Sequence, residues 1–289
     1  MSMKVTIDPN SGFCFGVNRA IQAAEAELEA GNTIYCLGEM VHNKVQMDQL
    51  KAKGLKVIAH TDLPALKDRK VMVRAHGEPP DTFQLIKDLG ITVIDATCPI
   101  VTKLQQKISE SYISGQASGS QVVIYGKSGH AEVAGLNGNA GNKAIVITNE
   151  SDFDKIDFSK SIRLFSQTTM DAERYARIGE AIQQRMLEIG NSEFVINKSV
   201  CRQVSGRAPL LRTFAAEHDV ILFVGGTNSA NGAYLFSVCK EINKRCFYIN
   251  NKEDIGLNWF EKATSVGVTG ATSTPGWLIE QVSDYIKGL

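Results

Sequence analysis

Twelve short apolar segments alternate with longer stretches of helical periodicity, and this alternation most limits the folds open to the chain. The predicted strands lie near 4–8, 33–37, 55–58, 70–74, 91–95, 121–125, 144–148, 161–165, 193–197, 220–224, 246–249 and 265–269. Strands that alternate with amphipathic helices form parallel sheets, because each crossover helix packs on a face of the sheet. The sequence therefore predicts an α/β protein with one large sheet or several small ones.

Three of the six cysteines recur at similar intervals along the chain. Cys14, Cys98 and Cys201 each follow a predicted strand and precede a helical stretch, and successive members lie 84 and 103 residues apart. An interval near one third of the 289 residues predicts three internal repeats, each with a small, mainly parallel sheet of four strands. We therefore expect α/β domains at 14–97 and 98–200, and a third at 201–289 whose sheet is completed by the N-terminal segment 1–13.

Polar loops follow two further strands in each repeat, and each loop leads into a helix. They span 38–43, 74–77, 126–135, 166–169, 225–232 and 270–275. Ligands of open α/β sheets bind beyond the carboxyl ends of the strands, so we expect these loops to line one central pocket. Their candidate ligand-binding side chains are His42, His76, His130, Thr168, Ser229, Asn231 and Ser273. Histidines and neutral donors beside helix starts suit a compact polyanion such as a diphosphate.

The loop at 126–135 combines His130 with a carboxylate, Glu132, directly after an apolar strand. A histidine and a glutamate in that position could bind a phosphate and transfer a proton. The alternative is a turn whose histidine and glutamate are only solvated. This loop by itself favours neither interpretation.

The repeated cysteines predict a metal centre, because the N-terminal ends of helices stabilise thiolates, the form that binds metals. Two centres suit three cysteines: zinc with one open position, or a 4Fe-4S cluster with one iron that lacks a protein ligand. The alternative is three structural cysteines buried where helices begin. The sequence contains no Cys-x-x-Cys pair, which argues against zinc ribbons and thioredoxin-like redox sites.

Charge and hydropathy exclude several functional classes. The chain has 31 Lys and Arg against 31 Asp and Glu, so it lacks the basic excess typical of proteins that bind nucleic acids or anionic membranes. Its apolar runs fall short of the roughly 18 residues that a transmembrane helix needs. The first residues contain no apolar signal-peptide segment. We therefore expect a cytoplasmic protein that acts on a small molecule.

Eight short motifs occur in order between residues 12 and 275. They are Gly12-Phe13-Cys14-Phe15-Gly16-Val17, Val41-His42-Asn43, Ala75-His76-Gly77, Asp95-Ala96-Thr97-Cys98-Pro99, His130-Ala131-Glu132-Val133, Gln167-Thr168-Thr169, Asn228-Ser229-Ala230-Asn231 and Ala271-Thr272-Ser273-Thr274-Pro275. With this set of motifs the chain resembles the 4-hydroxy-3-methylbut-2-enyl diphosphate reductase family, also called IspH or LytB.

The resemblance implies three α/β domains around a central 4Fe-4S cluster, with Cys14, Cys98 and Cys201 as its ligands and one iron open to substrate. It also implies that Glu132 supplies a proton and that Thr168 lies beside the substrate alcohol. The implied diphosphate-binding residues are His42, His76, His130, Ser229, Ala230, Asn231 and Ser273. Many members have serine at the position of Ala230, so one hydrogen bond to the diphosphate comes from the backbone of this alanine or is lost.

The family catalyses the last step of the non-mevalonate route to isoprenoids. Its members are oxidoreductases that use two electrons and two protons, remove water, and release isopentenyl and dimethylallyl diphosphates. The resemblance further implies a flavodoxin or ferredoxin as electron donor. Two departures are Ala131, where the family usually has proline, and the segment 202–207, which differs from the family pattern Cys-x-Ala-Thr-x-x-Arg-Gln. Cys201 is therefore the ligand least supported by its own motif.

The sequence is also compatible with two other functions. One is a non-redox hydro-lyase whose open iron binds a hydroxyl group, and the other is a cluster-based sensor without turnover. A tricarboxylate substrate of a hydro-lyase would need arginine side chains, and the polar loops offer only Arg74. A sensor needs no substrate pocket, whereas the ordered polar residues predict one.

Overall fold

The computed structural model describes residues 3–226 and 229–289, except for the side chain of Ala230. All the strands predicted from the sequence are present in this part of the chain. They are β1 (Lys4–Ile7), β2 (Ile34–Leu37), β3 (Leu55–Ile58), β4 (Lys70–Val73), β5 (Thr92–Asp95), β6 (Gln121–Tyr125), β7 (Ile145–Ile147), β8 (Ile162–Ser166), β9 (Phe194–Ile196), β10 (Val220–Val224), β11 (Cys246–Ile249) and β12 (Ser265–Gly270). Each end lies within one residue of the prediction, because each apolar run stops at polar or glycine-rich turns.

The α-helices of the described residues connect these strands. They are α1 (Phe15–Glu29), α2 (Lys44–Ala52), α3 (Pro80–Asp88), α4 (Pro99–Gly115), α5 (Ala131–Gly138), α6 (Ala172–Glu188), α7 (Arg202–Ser205), α8 (Arg207–Ala216), α9 (Ala230–Ile242) and α10 (Gly276–Lys287). Short 3-10 helices occur at His60–Ala65, Glu150–Lys155, Lys252–Asp254 and Leu257–Phe260. Within the described ranges, none of the helices combines the length and apolar character needed to span a membrane.

The strands form three sheets of four strands each. Their orders are β1–β12–β10–β11, β3–β2–β4–β5 and β7–β6–β8–β9. The pairing is parallel in all three sheets, as between β10 and β12, β4 and β5, and β6 and β8. The N-terminal strand β1 pairs with β12 from Lys4 opposite Ser265 to Ile7 opposite Val268. The predicted α/β class, with small parallel sheets flanked by helices, is confirmed.

Contacts between Cα atoms divide the chain into two compact units. The first comprises Met1–Thr33, Glu39–Lys56 and Gly206–Leu289, and the second comprises Ile34–Gly38 and Val57–Ser205. The first unit contains the sheet of β1, β12, β10 and β11, and the second contains the sheet of β7, β6, β8 and β9. The three domains, with boundaries at 14–97, 98–200 and 201–289 together with 1–13, stay a prediction.

Helices cover both faces of the central strands. In the first unit, Ile221 and Phe223 of β10 pack with Leu211 of α8, whereas Leu222 packs on the other side with Val282 of α10. All five residues of β10 are buried, so the strand is a continuous apolar run rather than an alternating one. The same arrangement occurs in the second unit, where the two faces of β6 pack against α6 and against α4 with α5. The polar loops after these buried strands therefore begin at the edge of a rigid core.

Candidate active site and metal centre

A buried carboxylate lies in the second unit, beyond the carboxyl ends of β6 and β8. Glu132, in the first turn of α5, is only 2% exposed. Its Oε1 atom accepts the backbone N–H of Thr168 at 2.6 Å, and its Oε2 atom accepts the Thr168 hydroxyl at 2.9 Å. Burial raises the pKa of Glu132 to about 7, although both hydrogen bonds from Thr168 oppose the shift. The side chain can therefore hold a proton near neutral pH.

Two histidines lie beside each other in the same unit. His130 immediately precedes α5, and its Nδ1 atom accepts the backbone N–H of Glu132 at 3.1 Å. Because Nδ1 acts as an acceptor, the neutral ring carries its hydrogen on Nε2. The rings of His76 and His130 are 5.3 Å apart between centroids and cross at 72°. An anion that binds at this pair can therefore accept a hydrogen bond from Nε2–H of His130. The imidazole of His76 lies next to that donor.

Two of the candidate metal ligands are connected to this region by backbone hydrogen bonds. Cys98 immediately precedes α4, and its N–H donates at 3.0 Å to the carbonyl of Ala75, the residue before His76. Cys201 precedes the short helix α7, and its N–H donates to the carbonyl of Thr168 at 2.8 Å. Each of these cysteines is thus anchored to a segment that carries a predicted substrate-binding residue.

The third candidate ligand lies in the first unit, where a threonine connects it to predicted diphosphate-binding residues. Cys14 precedes α1, and its N–H donates to the carbonyl of Thr272 at 3.2 Å. The hydroxyl of Thr272 accepts the side-chain amide of Asn231 at 2.5 Å. The hydroxyls of Ser229 and Ser273 are 3.3 Å apart, and Ser229 also caps the N-terminus of α9. Hydroxyl and amide groups at a helix N-terminus suit an anion.

His42 lies in the first unit as well, in a half-buried loop before α2. A Cβ atom at Gly226 would lie 2.0 Å from the carbonyl oxygen of His42 and 2.9 Å from the Cα atom of Asn43. A side chain does not fit at such distances, so the glycine permits the close contact of the two loops. Asn43 accepts the N–H of Gln46 at 3.1 Å, and Gln46 accepts the indole N–H of Trp277 at 3.1 Å. These bonds hold the start of α2 against α10.

The predicted site residues fall into two groups, one in each unit. The second unit contains His76, Cys98, His130, Glu132, Thr168 and Cys201, and the first contains Cys14, His42, Ser229, Asn231 and Ser273. Ala230 is the first residue of α9, and its side chain lies outside the described part of the chain. Asn228 of the same motif lies outside it entirely.

The six cysteines differ in burial. Cys14, Cys98 and Cys201 are half-buried where helices begin, whereas Cys36, Cys239 and Cys246 are buried. Burial raises the pKa of Cys36 to about 12, which disfavours its thiolate. Partly accessible cysteines at helix starts are suitable thiolate donors for an iron–sulfur cluster. The donor set of this chain therefore fits such a cluster.

Glu78 and Gly226 are site neighbours that the sequence analysis missed. Glu78 lies two positions after His76, is only 4% exposed, and its Oε2 atom is 2.7 Å from Nε2 of the exposed His60. This hydrogen bond ties the His76 loop to the helix His60–Ala65. No local pattern signals that these two residues pair, because they come from separate turns. The Gly225–Gly226 dipeptide was the one available hint of a close backbone approach.

Comparisons with known proteins place the chain among curated relatives of similar length. The family model described as LytB protein matches residues 5–287. The 4-hydroxy-3-methylbut-2-enyl diphosphate reductase of Bacteroides thetaiotaomicron is 46% identical over 285 residues, which cover 99% of this chain and 98% of the relative. The enzyme of the same name from Chlorobium luteolum is 36% identical over 322 residues and 99% of both chains.

Two solved structures are also similar. One is the structure of (E)-4-hydroxy-3-methyl-but-2-enyl diphosphate reductase, described as the terminal enzyme of the non-mevalonate pathway. It has a TM-score of 0.77 and 29% identity, with 99% of this chain and 100% of that chain covered. The other is the reductase of Plasmodium falciparum, with a TM-score of 0.83, 23% identity, and coverage of 99% and 88%. At that identity the second likeness supports the fold alone.

Proposed function

The chain belongs to the LytB family, and we propose that it reduces 4-hydroxy-3-methylbut-2-enyl diphosphate to isopentenyl diphosphate and dimethylallyl diphosphate. The reaction consumes two electrons and two protons and removes the C4 hydroxyl as water. The observation that carries the proposal is the buried pair of Glu132 and Thr168, which joins a carboxyl group of pKa about 7 to a hydroxyl group. A departing hydroxyl needs such a proton donor, because hydroxide is a poor leaving group.

We assign the metal centre to Cys14, Cys98 and Cys201, and propose one 4Fe-4S cluster with one iron that lacks a protein ligand. When bound, the cluster supplies electrons to the substrate and a Lewis-acidic iron for its hydroxyl. The helices α1 and α4 begin directly after Cys14 and Cys98, so their N-terminal dipoles stabilise the charge of the two thiolates. A flavodoxin or ferredoxin is the proposed electron donor.

The hydrogen bonds of Glu132 indicate where its proton resides. Oε1 must accept the backbone N–H of Thr168, so the proton of the neutral acid sits on Oε2. Oε2 is 2.9 Å from the Thr168 hydroxyl, which then accepts from the acid and turns its own hydrogen outward. In our proposal Thr168 passes this proton to the substrate hydroxyl as the C–O bond breaks, and Glu132 becomes the carboxylate.

We propose that the diphosphate binds to histidine, hydroxyl and amide donors of the polar loops. His130 donates from Nε2, because its Nδ1 atom is occupied by the N–H of Glu132. The further proposed contacts are from His42, His76, Ser229, Asn231, Ser273 and the backbone N–H of Ala230. The Nδ2 atom of Asn231 donates to the Thr272 hydroxyl, whereas its Oδ1 atom has no hydrogen-bond partner among the described residues. Rotation of this amide by 180° would present its NH₂ group to the anion.

An anaerobic turnover assay with the allylic diphosphate and a chemically reduced viologen dye tests the proposal. We expect both products from the wild type, and a loss of about 10²–10⁴ in kcat for Glu132→Gln, the range typical of a removed general acid. The matched control is Glu150→Gln, which removes an exposed carboxylate from the same unit and should leave turnover unchanged. Near-full turnover of Glu132→Gln would contradict the assigned proton path.

Metal analysis distinguishes the proposed function from its alternatives. About four irons with matching sulfide per chain after anaerobic purification would agree with the proposed cluster. Zinc without sulfide would refute the reductase assignment. Iron and sulfide with hydration of a carboxylate substrate, or with no turnover, would instead favour a hydro-lyase or a sensor. The cytoplasmic location stays a prediction from the sequence.

A further inference from the structure

A buried ion pair in the first unit lies outside the proposed catalytic residues. Asp8, just after β1, and Arg207, the first residue of α8, have side chains only 2% and 7% exposed. The Nη2 atom of Arg207 is 3.3 Å from Oδ2 of Asp8 and donates to the carbonyl of Gly270 at 3.2 Å. The hydroxyl of Thr269 donates to the same Oδ2 atom at 2.8 Å. The pair therefore joins the ends of β1 and β12 to the start of α8.

The ends of β1 and β12 also determine where Cys14 lies. Cys14 donates its N–H to the carbonyl of Thr272, two residues beyond the Gly270 carbonyl that Arg207 binds. Asp8 organises the turn before Cys14, because its Oδ1 atom accepts the N–H of Asn10 at 2.9 Å. The ion pair thus lies close to Cys14 along two short backbone segments, from Asn10 to Cys14 and from Gly270 to Thr272.

The positions of the two charged residues along the chain add a second observation. Asp8 precedes Cys14 by six residues, and Arg207 follows Cys201 by six residues. Each partner of the ion pair is therefore close in sequence to a different proposed ligand of the cluster. A change at either partner acts on the segment that leads to one of these cysteines.

Stability alone is a poor explanation for this pair. Burying two charges costs solvation that their attraction only partly returns, and apolar replacements of such pairs are often no less stable. The cost is larger here because the Nε and Nη1 atoms of Arg207 are buried and have no hydrogen-bond partner among the described residues. Burial also lowers the pKa of Arg207, while the charge of Asp8 opposes that shift. A costly arrangement next to a candidate ligand points to a role in positioning.

We propose that the ion pair of Asp8 and Arg207 positions the segment that carries Cys14 and thereby controls how firmly the chain retains its iron–sulfur cluster. The inference rests on the proposed function, since it takes Cys14 as a ligand. With only three protein ligands, a displaced Cys14 leaves the cluster on two thiolates, and its iron is then lost more easily. Both residues are positioning residues, because they act through the backbone of Cys14.

Iron retention, measured beside thermal unfolding, tests the proposal. Wild type, Asp8→Asn, Arg207→Lys and the double variant Asp8→Asn/Arg207→Met are purified anaerobically. Iron and sulfide per chain, and the rate of iron transfer to a chelator, are then determined. The matched control is Arg212→Met. Arg212 lies on α8, as Arg207 does, and its exposed side chain is 2.9 Å from that of Glu241. The control should behave as wild type.

We expect Asp8→Asn and Arg207→Lys to lose iron about ten to a hundred times faster than wild type, the range seen when residues behind a metal ligand are changed. Lysine keeps the charge, but its shorter, flexible side chain does not hold a nitrogen atom at the place where Nη2 of Arg207 contacts both Asp8 and the Gly270 carbonyl. The double variant restores charge balance, so its unfolding temperature should return toward wild type. Its iron loss should stay fast, because the bond to Gly270 is still absent.

Three results would overturn the inference. The first is iron retention of Asp8→Asn and Arg207→Lys equal to that of wild type. The second is a double variant in which stability and iron retention recover together, which would mean that the pair acts through stability alone. The third is a wild-type chain that binds no cluster, and this result alone would also refute the proposed function.

Discussion

Replacing Glu132 by glutamine removes a carboxyl group whose ionisation the fold opposes, so it should change how stability depends on pH. In the folded chain the pKa of this group is about 7, against 4.5 for an ordinary glutamate. The unfolded chain therefore releases its proton at a lower pH than the folded chain. Wild-type protein binds the proton more tightly when folded, and it loses this part of its stability as the pH rises from 4.5 to about 7.

The size of the effect follows from the two pKa values. One pKa unit corresponds to about 1.4 kcal/mol, so the difference amounts to about 3 kcal/mol of unfolding free energy. Glutamine has the same shape, and it can accept the N–H of Thr168 and donate to its hydroxyl. The variant keeps these contacts but has no proton to lose. It should therefore gain about 2–3 kcal/mol in unfolding free energy relative to wild type as the pH rises from 5 to 8.

Urea unfolding of wild type and Glu132→Gln between pH 5 and pH 8.5, at equal cluster content, measures this difference. Other titrating groups cancel, because both proteins contain them. The exposed Glu150→Gln variant should show no pH-dependent difference from wild type. If the stabilities of wild type and Glu132→Gln change in parallel across this range, the pKa of Glu132 is ordinary and the reasoning about its proton fails.

Three further substitutions test other parts of the site. Cys98→Ser should lower iron and sulfide per chain, whereas Cys36→Ala, which removes a buried thiol, should retain both; equal contents would refute the ligand assignment. Gly226→Ala should raise the KM for the diphosphate at least about tenfold, because a Cβ there lies 2.0 Å from the His42 carbonyl. Gly276→Ala, whose Cβ meets no described atom within 4 Å, is its control, and equal KM values would contradict the argument. His60→Ala should lower the free energy of unfolding in urea by about 1–3 kcal/mol, because it leaves the buried carboxylate of Glu78 without this partner. Glu78→Gln should lower it less, and equal losses in the two variants would contradict the argument.

Local sequence patterns account for much of the fold. Each strand is a short apolar run bounded by glycine or polar residues, so its limits follow from nearby residues alone. The cysteines that precede helices were equally visible, because Cys14 and Cys98 stand between a strand pattern and a helical pattern. Glu132 and Thr168 could be named as chemical candidates, since each lies in a polar loop directly after a predicted strand.

The missed features have a common cause. Gly226 and the His42 loop, or Glu78 and His60, belong to separate turns, and no periodicity relates the members of such pairs. The raised pKa of Glu132 arises from 2% exposure, which depends on packing by α5 and the segment after β8. Neither a contact between distant turns nor the burial of one carboxyl group can be read from neighbouring residues.

The sequence by itself determined the α/β class, the position of every strand in the described chain, and the kinds of side chain available to a metal and an anion. Only the tertiary structure decided that β1 joins β12, that Thr168 binds Glu132, and that Asp8 pairs with Arg207. Secondary structure follows from interactions within a few residues. Proton affinity, close backbone approach and buried ion pairs depend instead on which distant segments the folded core brings into contact.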